Sequence, residues 1–285
     1  MNIQVRNAKP DDIQRCGEIY FDAFKEISSA HNFPQDQPSV EFTTATVQGM
    51  LAHNDSFCLV AETAEDILGF AALHLRPPIG GIGPITVAPR YHGAGIGRLL
   101  MEALEKEAEN QNLKGTRLVQ AAYNRHSLSL YTKLGYNVVE LLINLQGNPI
   151  MDEQPGFCVR TASNSDIDSC RLICKKVHGF SRDLDIETGI ENGTAMIVER
   201  QQNITGYTCG IGFRAHSAAL TSEDLRALIS TSESFAGPGF LLPAKEGDLF
   251  RWCLERGLRV VQPMALMVKG WYQSPAGAYL PSVSF

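Results

Sequence analysis

The chain has 285 residues, of which 44% are hydrophobic and 20% are charged, and its formal net charge is −6. This composition is typical of a globular protein with one large or two medium domains. Charges of both signs are scattered along the chain, so no basic face is indicated that could neutralise nucleic-acid phosphates. No run of about 18 apolar residues could span a membrane, and the first residues lack the apolar segment of a signal peptide. We therefore expect a cytoplasmic protein that binds neither nucleic acid nor membrane.

The hydrophobic pattern of the first half predicts alternating strands and helices. Apolar residues at every second position indicate strands, and apolar residues three or four apart indicate helices. In chain order the predicted elements are a strand (3–8), two helices (11–26 and 40–52), three strands (56–63, 67–76 and 81–88), a helix from 97 to about 110, a strand (116–122), a helix (126–134) and a strand (136–145). This order is typical of an α/β (α+β) domain with a mixed sheet.

Three segments of the first half recur in the same order in the second half. They are a strand followed by a helix that Asp residues open, a β-hairpin, and a helix that a glycine ends before a strand. Because three such pairs indicate a duplicated domain, and turn-forming residues cluster at 147–156, we place the domains at 1–150 and 156–285. The paired segments are 5–16 with 159–170, 61–70 with 198–207, and 133–136 with 255–258.

The seven cysteines are an odd number, and their spacing is not that of a disulfide framework. Cys170 and Cys174 lie one helical turn apart, as in half of a metal site. A complete site needs further ligands, and the sequence has no companion Cys-x-x-Cys or His-x-x-x-His pair. The sequence therefore predicts reduced, buried thiols and no metal.

Three alternating glycines follow the strand that ends at Pro89. Gly93, Gly95 and Gly97 allow a sharp turn and let main-chain N–H groups approach one anion. A predicted helix follows and adds the positive end of its dipole. The segment therefore predicts a phosphate or pyrophosphate site. A Rossmann fingerprint is excluded because its third glycine is missing, and the Gly-Lys-Ser/Thr of a P-loop is absent.

This segment resembles the signature of the GNAT acyltransferase superfamily. In that family a strand of the form apolar-x-Val-x-Pro leads into Gln/Arg-x-x-Gly-x-Gly/Ala, and here 85–89 leads into 92–98. His92 departs from the family's Gln or Arg, although a neutral imidazole still offers one hydrogen bond to a phosphate. The stretch 124–136 resembles the family's second coenzyme A segment, with its Asn, Ser, Tyr and Gly-Tyr. Together the matches cover about residues 3–145.

The resemblance implies two GNAT-like domains, each with a mixed, mostly antiparallel sheet flanked by helices. It also implies an N-acetyltransferase that moves acetyl from acetyl-CoA to the primary amine of a small molecule or peptide by direct attack. The implied coenzyme A-binding residues are Ile85, Thr86, Val87, His92, Gly93, Ala94, Gly95, Ile96, Gly97, Arg98, Asn124 and Ser127.

The catalytic residue that the resemblance implies is Tyr131, which would give a proton to the departing thiolate. Main-chain N–H groups near Ile85 and Val87 would polarise the thioester carbonyl. Many family members carry a Glu shortly before the position of Ile85, where this chain has Gly-Pro. We therefore consider His74 and Glu41 as the general base, acting through water.

Two other functions remain open at this stage. An acyl-CoA-binding pseudoenzyme or sensor would explain the missing Glu and the substituted His92, whereas a pure binder has no need of Tyr131. A non-enzymatic interaction protein would leave the glycine loop unexplained. The acceptor is expected to lie against 28–39, a polar stretch without a charge cluster. A protein N-terminus, a polyamine, an antibiotic or a small metabolite all remain candidates.

The second half is predicted to be a degenerate copy that binds no coenzyme A. It runs directly into a helix opened by Thr-Ser-Glu-Asp at 221–224, without alternating glycines. Glu246 replaces Asn124, and Cys253 replaces Tyr131 on an apolar helix face, where we interpret it as a core residue. This half would wall the acceptor cleft or form an oligomer interface, such as a homodimer, through the aromatic tail Trp271, Tyr272 and Tyr279.

Overall fold

The computed structural model describes residues 2–152 and 154–284. Within them the α-helices are α1 (Ile13–Ala30), α2 (Val40–Ala52), α3 (Ile96–Asn110), α4 (Arg125–Lys133), α5 (Ile167–His178), α6 (Asp183–Glu191), α7 (Ser222–Ser230) and α8 (Gly247–Glu255). The strands are β1 (Gln4–Asn7), β2 (Ser56–Glu62), β3 (Ile67–Arg76), β4 (Ile79–Val87), β5 (Gly115–Ala121), β6 (Asn137–Gln146), β7 (Cys158–Thr161), β8 (Met196–Arg200), β9 (Asn203–Thr208), β10 (Ser217–Ala219), β11 (Phe240–Pro243), β12 (Arg259–Gly270) and β13 (Ala278–Leu280).

Every predicted element of the first half is present, and the fold class is confirmed as mixed α/β with mostly antiparallel sheets. The largest difference is α1, which continues four residues past its predicted end, to Ala30. Residues 27–30 contain no Gly or Pro to stop it, and Ser28 donates a hydrogen bond back to the carbonyl oxygen of Phe24 (2.8 Å).

The described strands form two sheets. The larger has eight strands in the order β1-β2-β3-β4-β5-β12-β6-β11, and the smaller has five in the order β13-β10-β9-β8-β7. Neighbouring strands are antiparallel except for β4 and β5, which are parallel. Helices α1 and α2 cover one face of the larger sheet through Cys16, Tyr20, Val47 and Met50, and α3 covers the other through Ile96, Leu100, Met101 and Leu104.

The two halves exchange their last strands. In the repeat, β5, α4 and β6 of the first half correspond to β11, α8 and β12 of the second. Strand β12 lies between β5 and β6 and pairs with both, and β6 in turn pairs with β11. Each half therefore completes its sheet with a strand of the other. Because β5 and β6 meet only through β12, the first half cannot form its central sheet alone.

An ion network supports the predicted duplication. Arg6 binds Asp12 and Glu62 at 2.6 Å in the first half, and Arg160 binds Asp166 at 2.9 Å and Glu199 at 2.8 Å in the second. Both networks tie the first strand of a half to the start of its first helix and to the end of its second strand. The repeated segments thus share side-chain contacts as well as secondary structure.

Most cysteines are buried as predicted, and all seven are unpaired. The prediction is wrong for Cys158, which is exposed at the start of the short edge strand β7, and Cys209 is half-buried. Across residues 2–152 and 154–284, no three His, Cys, Asp or Glu side chains are grouped so that they could hold a metal ion. No helix in these ranges is long and apolar enough to cross a membrane.

Candidate functional site

A gap opens between the two parallel strands of the larger sheet. Strands β4 and β5 pair only where Ile79–Gly81 meets 115–117, and no further pairing between them is present in the described residues. Beyond that point β4 stays paired with β3, and β5 stays paired with β12. The facing edges of the two strands are therefore free towards their carboxyl ends.

Main-chain N–H groups of β4 point into this gap. Ala88 donates its N–H to the carbonyl oxygen of Leu68, on the β3 side (2.8 Å). Because successive residues of a strand alternate in direction, the N–H groups of Ile85 and Val87 face the gap. Thr86 instead faces β3, where its buried hydroxyl donates to the carbonyl oxygen of Phe70 (3.1 Å). Ile85 and Val87 thus have the orientation that an oxyanion hole requires.

The glycine loop leads from β4 into the open N-terminus of α3. Gly93 and Gly95 have φ angles of 83° and 81°, and a Cβ at either would meet no atom within 4 Å. Gly95 is the N-cap and has no side chain to accept the first helical N–H groups. The first return bond runs from Leu99 N–H to the carbonyl oxygen of Gly95 (3.1 Å). The N–H groups of residues 96–98 therefore point out of the helix, as in an anion site.

The side chain of His92, which was expected to contact a phosphate, contacts other atoms of the protein. Its Nε2 lies 3.1 Å from the carbonyl oxygen of Val87, and its Nδ1 lies 3.4 Å from a carboxylate oxygen of Glu26. The ring thus donates a hydrogen bond to the main chain of β4. To contact a phosphate instead, the ring would have to rotate away from Val87. Arg98 is half-exposed on the first turn of α3 and forms a loose pair with Glu102 (3.4 Å).

The second predicted segment lies beside the end of β5. Asn124 is the N-cap of α4 and accepts a hydrogen bond from the N–H of Ser127 (3.2 Å). The Ser127 hydroxyl donates to the side-chain oxygen of Gln120 (2.6 Å), whose buried amide nitrogen has no hydrogen-bond partner among the described residues. The structure therefore brings Asn124 and Ser127 to the β5 side of the gap.

Tyr131 is buried in the core between α3 and α4. Its ring makes an edge contact with Tyr136, with 6.3 Å between centroids. Its hydroxyl makes no hydrogen bond to any residue in 2–152 or 154–284. Burial raises the pKa of Tyr131 above its ordinary value, so the hydroxyl keeps its proton at neutral pH.

Neither candidate base proposed from the sequence is suited to that role. His74 is buried, its Nε2 faces the carbonyl oxygen of Gly83 (2.9 Å), and its Nδ1 faces the hydroxyl of Ser56 (3.2 Å). Burial lowers the pKa of His74 to about 4, so the ring is a weak base. Glu41 lies in the first turn of α2 outside the cleft described next, and a hydrogen bond with Ser39 lowers its pKa.

A cleft of about 1220 Å³ lies between the two halves, on the face of the sheet that carries α1 and α2. Its walls are α2, the ends of β2 and β3, α6 and the segments 209–216 and 236–238. None of residues 92–98 lines this cleft. Segments of the second half therefore form part of its wall. The role of this half at an acceptor cleft stays a prediction.

Asp36, in the loop between α1 and α2, is a residue of this cleft that sequence reasoning missed. Gln262 of β12 donates to its carboxylate (2.7 Å) and accepts a hydrogen bond from the Tyr123 hydroxyl (2.9 Å). Tyr123 directly precedes Asn124. Burial raises the pKa of Asp36 to about 6, although the Gln262 hydrogen bond opposes this shift. A single Asp in a polar loop carried no sequence signal, because its environment is built by distant residues.

In the second half, the counterparts of the glycine loop and of the gap between strands are occupied by other parts of the chain. Thr221 caps α7 by accepting a hydrogen bond from the N–H of Asp224 (3.2 Å), and buried Asp224 accepts one from the N–H of Thr221 (3.1 Å). Strand β13 pairs with β10 and packs against β11, so it fills the place that corresponds to the gap of the first half. Cys253 is fully buried, and burial raises the pKa of its thiol to about 12.

The aromatic tail includes one residue, Tyr279, that is not available for an oligomer interface. Tyr279 lies in β13 with 1% of its surface exposed, because its ring packs inside this chain. Trp271 and Tyr272 lie around the buried guanidinium of Arg117, whose central carbon is 6.0 and 5.4 Å from their ring centroids. The expectation of an interface through Tyr279 is therefore wrong.

The chain is similar in sequence and in fold to known acetyltransferases. Residues 16–136 match the model of the acetyltransferase (GNAT) family. Over 83 residues the chain is 30% identical to the catalytic subunit of the N-terminal acetyltransferase B complex of Schizosaccharomyces pombe, which is 29% of this chain and 46% of that protein. The chain thus spans about half the length of this curated relative.

Two solved structures share the fold over both halves. A suspected acetyltransferase from Pyrococcus horikoshii has a TM-score of 0.73 at 17% identity, with 97% of this chain and 94% of that chain covered. A GCN5-related N-acetyltransferase from Sphaerobacter thermophilus has a TM-score of 0.63 at 14% identity, with 99% and 98% covered. The family-model match identifies a GNAT acetyltransferase domain at residues 16–136, and the two solved structures show that their fold is shared over both halves of this chain.

Proposed function

We propose that this protein is an N-acetyltransferase that transfers acetyl from acetyl-CoA to an amine. The observation that carries the proposal is the glycine loop at the open start of α3, directly after the strand whose N–H groups face the gap. The left-handed Gly95, with open space where a Cβ would stand, allows a pyrophosphate to approach the backbone. Asn124 and Ser127 supply the opposite wall, and Tyr131 lies in the adjoining core.

In the proposed reaction acetyl-CoA supplies the acetyl group as a thioester. The amine nitrogen bonds to the carbonyl carbon, the carbon–sulfur bond breaks, and the amine loses one proton while the sulfur gains one. The N–H groups of Ile85 and Val87 would stabilise the negative charge on the carbonyl oxygen. Tyr131, which keeps its proton at neutral pH, would donate that proton to sulfur.

We also propose that the GNAT-like halves extend over 1–150 and 156–285, and that only the first binds coenzyme A. At the start of α7 the Thr221 hydroxyl already accepts the N–H of Asp224, and the buried carboxylate of Asp224 adds negative charge there. Strand β13 occupies the place of the pantetheine arm. These features support one site per chain.

An assay of thiol release with acetyl-CoA and a panel of amines tests the transferase activity. We expect free thiol to appear together with the acetylated amine, detected by mass spectrometry. The second candidate is an acyl-CoA-binding pseudoenzyme, which the occupied His92 ring and the Gly-Pro before Ile85 favour. If acetyl-CoA binds but no amine in the panel is acetylated, the pseudoenzyme is the better description.

A further inference from the structure

The cleft between the halves holds two opposite charges that are not paired with each other. Asp36 lies on the first-half side, and Arg214 lies on the second-half side. Neither forms an ion pair in the described parts of the chain. A cleft of this size has room for a small molecule of the kind that protein pockets commonly bind. The two charges are therefore candidates for contacts with a ligand.

Asp36 is held in position by Gln262 of β12. The Gln262 amide fixes one of its oxygens at 2.7 Å, and Gln262 itself is fully buried. Tyr123, whose hydroxyl binds the same Gln262, stacks on Phe33 with 4.1 Å between ring centroids. The carboxylate is thus placed near the end of β5, where the gap between β4 and β5 is open. A carboxylate in this place can accept hydrogen bonds from an ammonium group.

Arg214 is held just as firmly on the other side. Its guanidinium donates to the hydroxyl of Tyr20 (3.2 Å) and lies over the ring of Phe42, 5.4 Å from the centroid. Its carbonyl oxygen accepts a hydrogen bond from the hydroxyl of Ser282 (3.0 Å), so the backbone is fixed as well. The guanidinium also donates to the hydroxyl of Thr46 (3.5 Å). These two side-chain hydrogen bonds leave further N–H donors, which match the two oxygens of a carboxylate.

The two charges act on a common neighbour. Burial raises the pKa of the Tyr20 hydroxyl, Arg214 lowers it, and Asp36 raises it. Arg214 contacts the Tyr20 hydroxyl directly, and Asp36 and Arg214 line the same cleft. The carboxylates of Asp55 and Asp185 already have partners, because Arg76 pairs with both and Arg182 also pairs with Asp185.

We propose that this cleft is the acceptor site and that the acceptor is an amino acid or a similar small molecule with both an amine and a carboxylate. Asp36 binds the amine, and Arg214 binds the carboxylate. This inference rests on the proposed acetyltransferase function. It also gives the second half a role in that function, because this half supplies Arg214 and, through Gln262, positions Asp36.

The experiment compares each proteinogenic L-amino acid with its amide in the thiol-release assay. The parent protein should favour the acid over the amide in kcat/KM by about 10- to 100-fold, as expected for a charge-assisted contact. Arg214→Gln should remove this preference by lowering kcat/KM with the acid far more than with the amide. The matched control is Arg251→Gln, an exposed arginine of α8 outside the cleft, which should keep the preference.

A binding measurement separates this inference from the proposed function. Calorimetric titration of the amino acids into the protein with coenzyme A present should show binding that Asp36→Asn and Arg214→Gln each weaken. The control for the carboxylate is Asp248→Asn, an exposed residue of α8. The inference is overturned if the parent has equal kcat/KM for acid and amide, or if Arg214→Gln keeps the parent's preference for the acid. In both cases the proposed acetyl transfer itself stands. If no amine is acetylated, the proposed function fails, and absence of amino-acid binding then overturns the inference too.

Discussion

Gln262 donates a hydrogen bond of 2.7 Å to Asp36, a residue 226 positions earlier in the chain. Gln262 lies on β12, the strand that the second half inserts into the sheet of the first. The loop between α1 and α2 is therefore positioned by the half that lacks the glycine loop. This contact gives the half without the glycine loop a structural role in the other half.

Asp36→Asn should lower acetyl transfer and change its pH dependence. Burial raises the pKa of Asp36 to about 6. Below that pH the parent's carboxyl is protonated and cannot bind an ammonium group, so kcat/KM of the parent should rise with pH through about 6. A pH profile of the variant should be low and should lack this rise. A profile that is the same in both proteins would exclude Asp36 from the reaction.

The same substitution should stabilise the folded protein at neutral pH. Because the pKa of Asp36 is raised on folding, its contribution to stability is fully present below about pH 4 and is lost as pH rises through about 6. Asn avoids that loss, so the free energy of unfolding at pH 7 should increase by on the order of 2 kcal/mol. Thermal melts at pH 4 and pH 7 measure this difference. A variant that is less stable than the parent at pH 7 would contradict the prediction.

Tyr131→Phe should reduce turnover by about 10²- to 10⁴-fold, the usual range for a lost general acid, with little change in coenzyme A affinity. Stability should change little, because the Tyr131 hydroxyl has no hydrogen-bond partner in the described ranges. Tyr136→Phe is the matched control from the same core, and its hydroxyl shares a hydrogen bond with Thr116 (2.7 Å). The control should lose about 1 kcal/mol of stability and keep its turnover. Turnover of Tyr131→Phe within about twofold of the parent would make Tyr131 a packing residue only.

Truncation after residue 152 should prevent the first half from folding. Without β12, the strands β5 and β6 have no common neighbour, and the apolar edge positions of both would be exposed to solvent. Circular dichroism and size-exclusion chromatography should show an unfolded or aggregated fragment. Co-expression with 154–285 should restore a soluble complex. A monomeric fragment with parental affinity for acetyl-CoA would refute the role assigned to β12.

The secondary-structure elements of the first half and the turn at the glycine loop were predictable because each depends on local pattern. Gly93 and Gly95 take left-handed angles that the sequence spacing indicates, and Arg6 and Arg160 sit in repeated segments. The strand exchange was not predictable, because the local patterns of β6 and β12 do not show that β12 lies between β5 and β6. Asp36 and Arg214 gain their importance only through folding, since their partners Gln262 and Tyr20 lie far away in sequence.

Titration calorimetry with acetyl-CoA tests the central claim, a single coenzyme A site at the glycine loop. The parent should bind one acetyl-CoA per chain, and Gly95→Val should abolish binding, because Val is strained at a φ of 81° and its side chain would occupy the space in front of the loop. Gly257→Val is the matched control, since Gly257 has a φ of 86° and equally open surroundings at the end of α8. Retained binding in the control and loss in Gly95→Val is the result we predict. Two sites per chain, or an unchanged affinity in Gly95→Val, would contradict it.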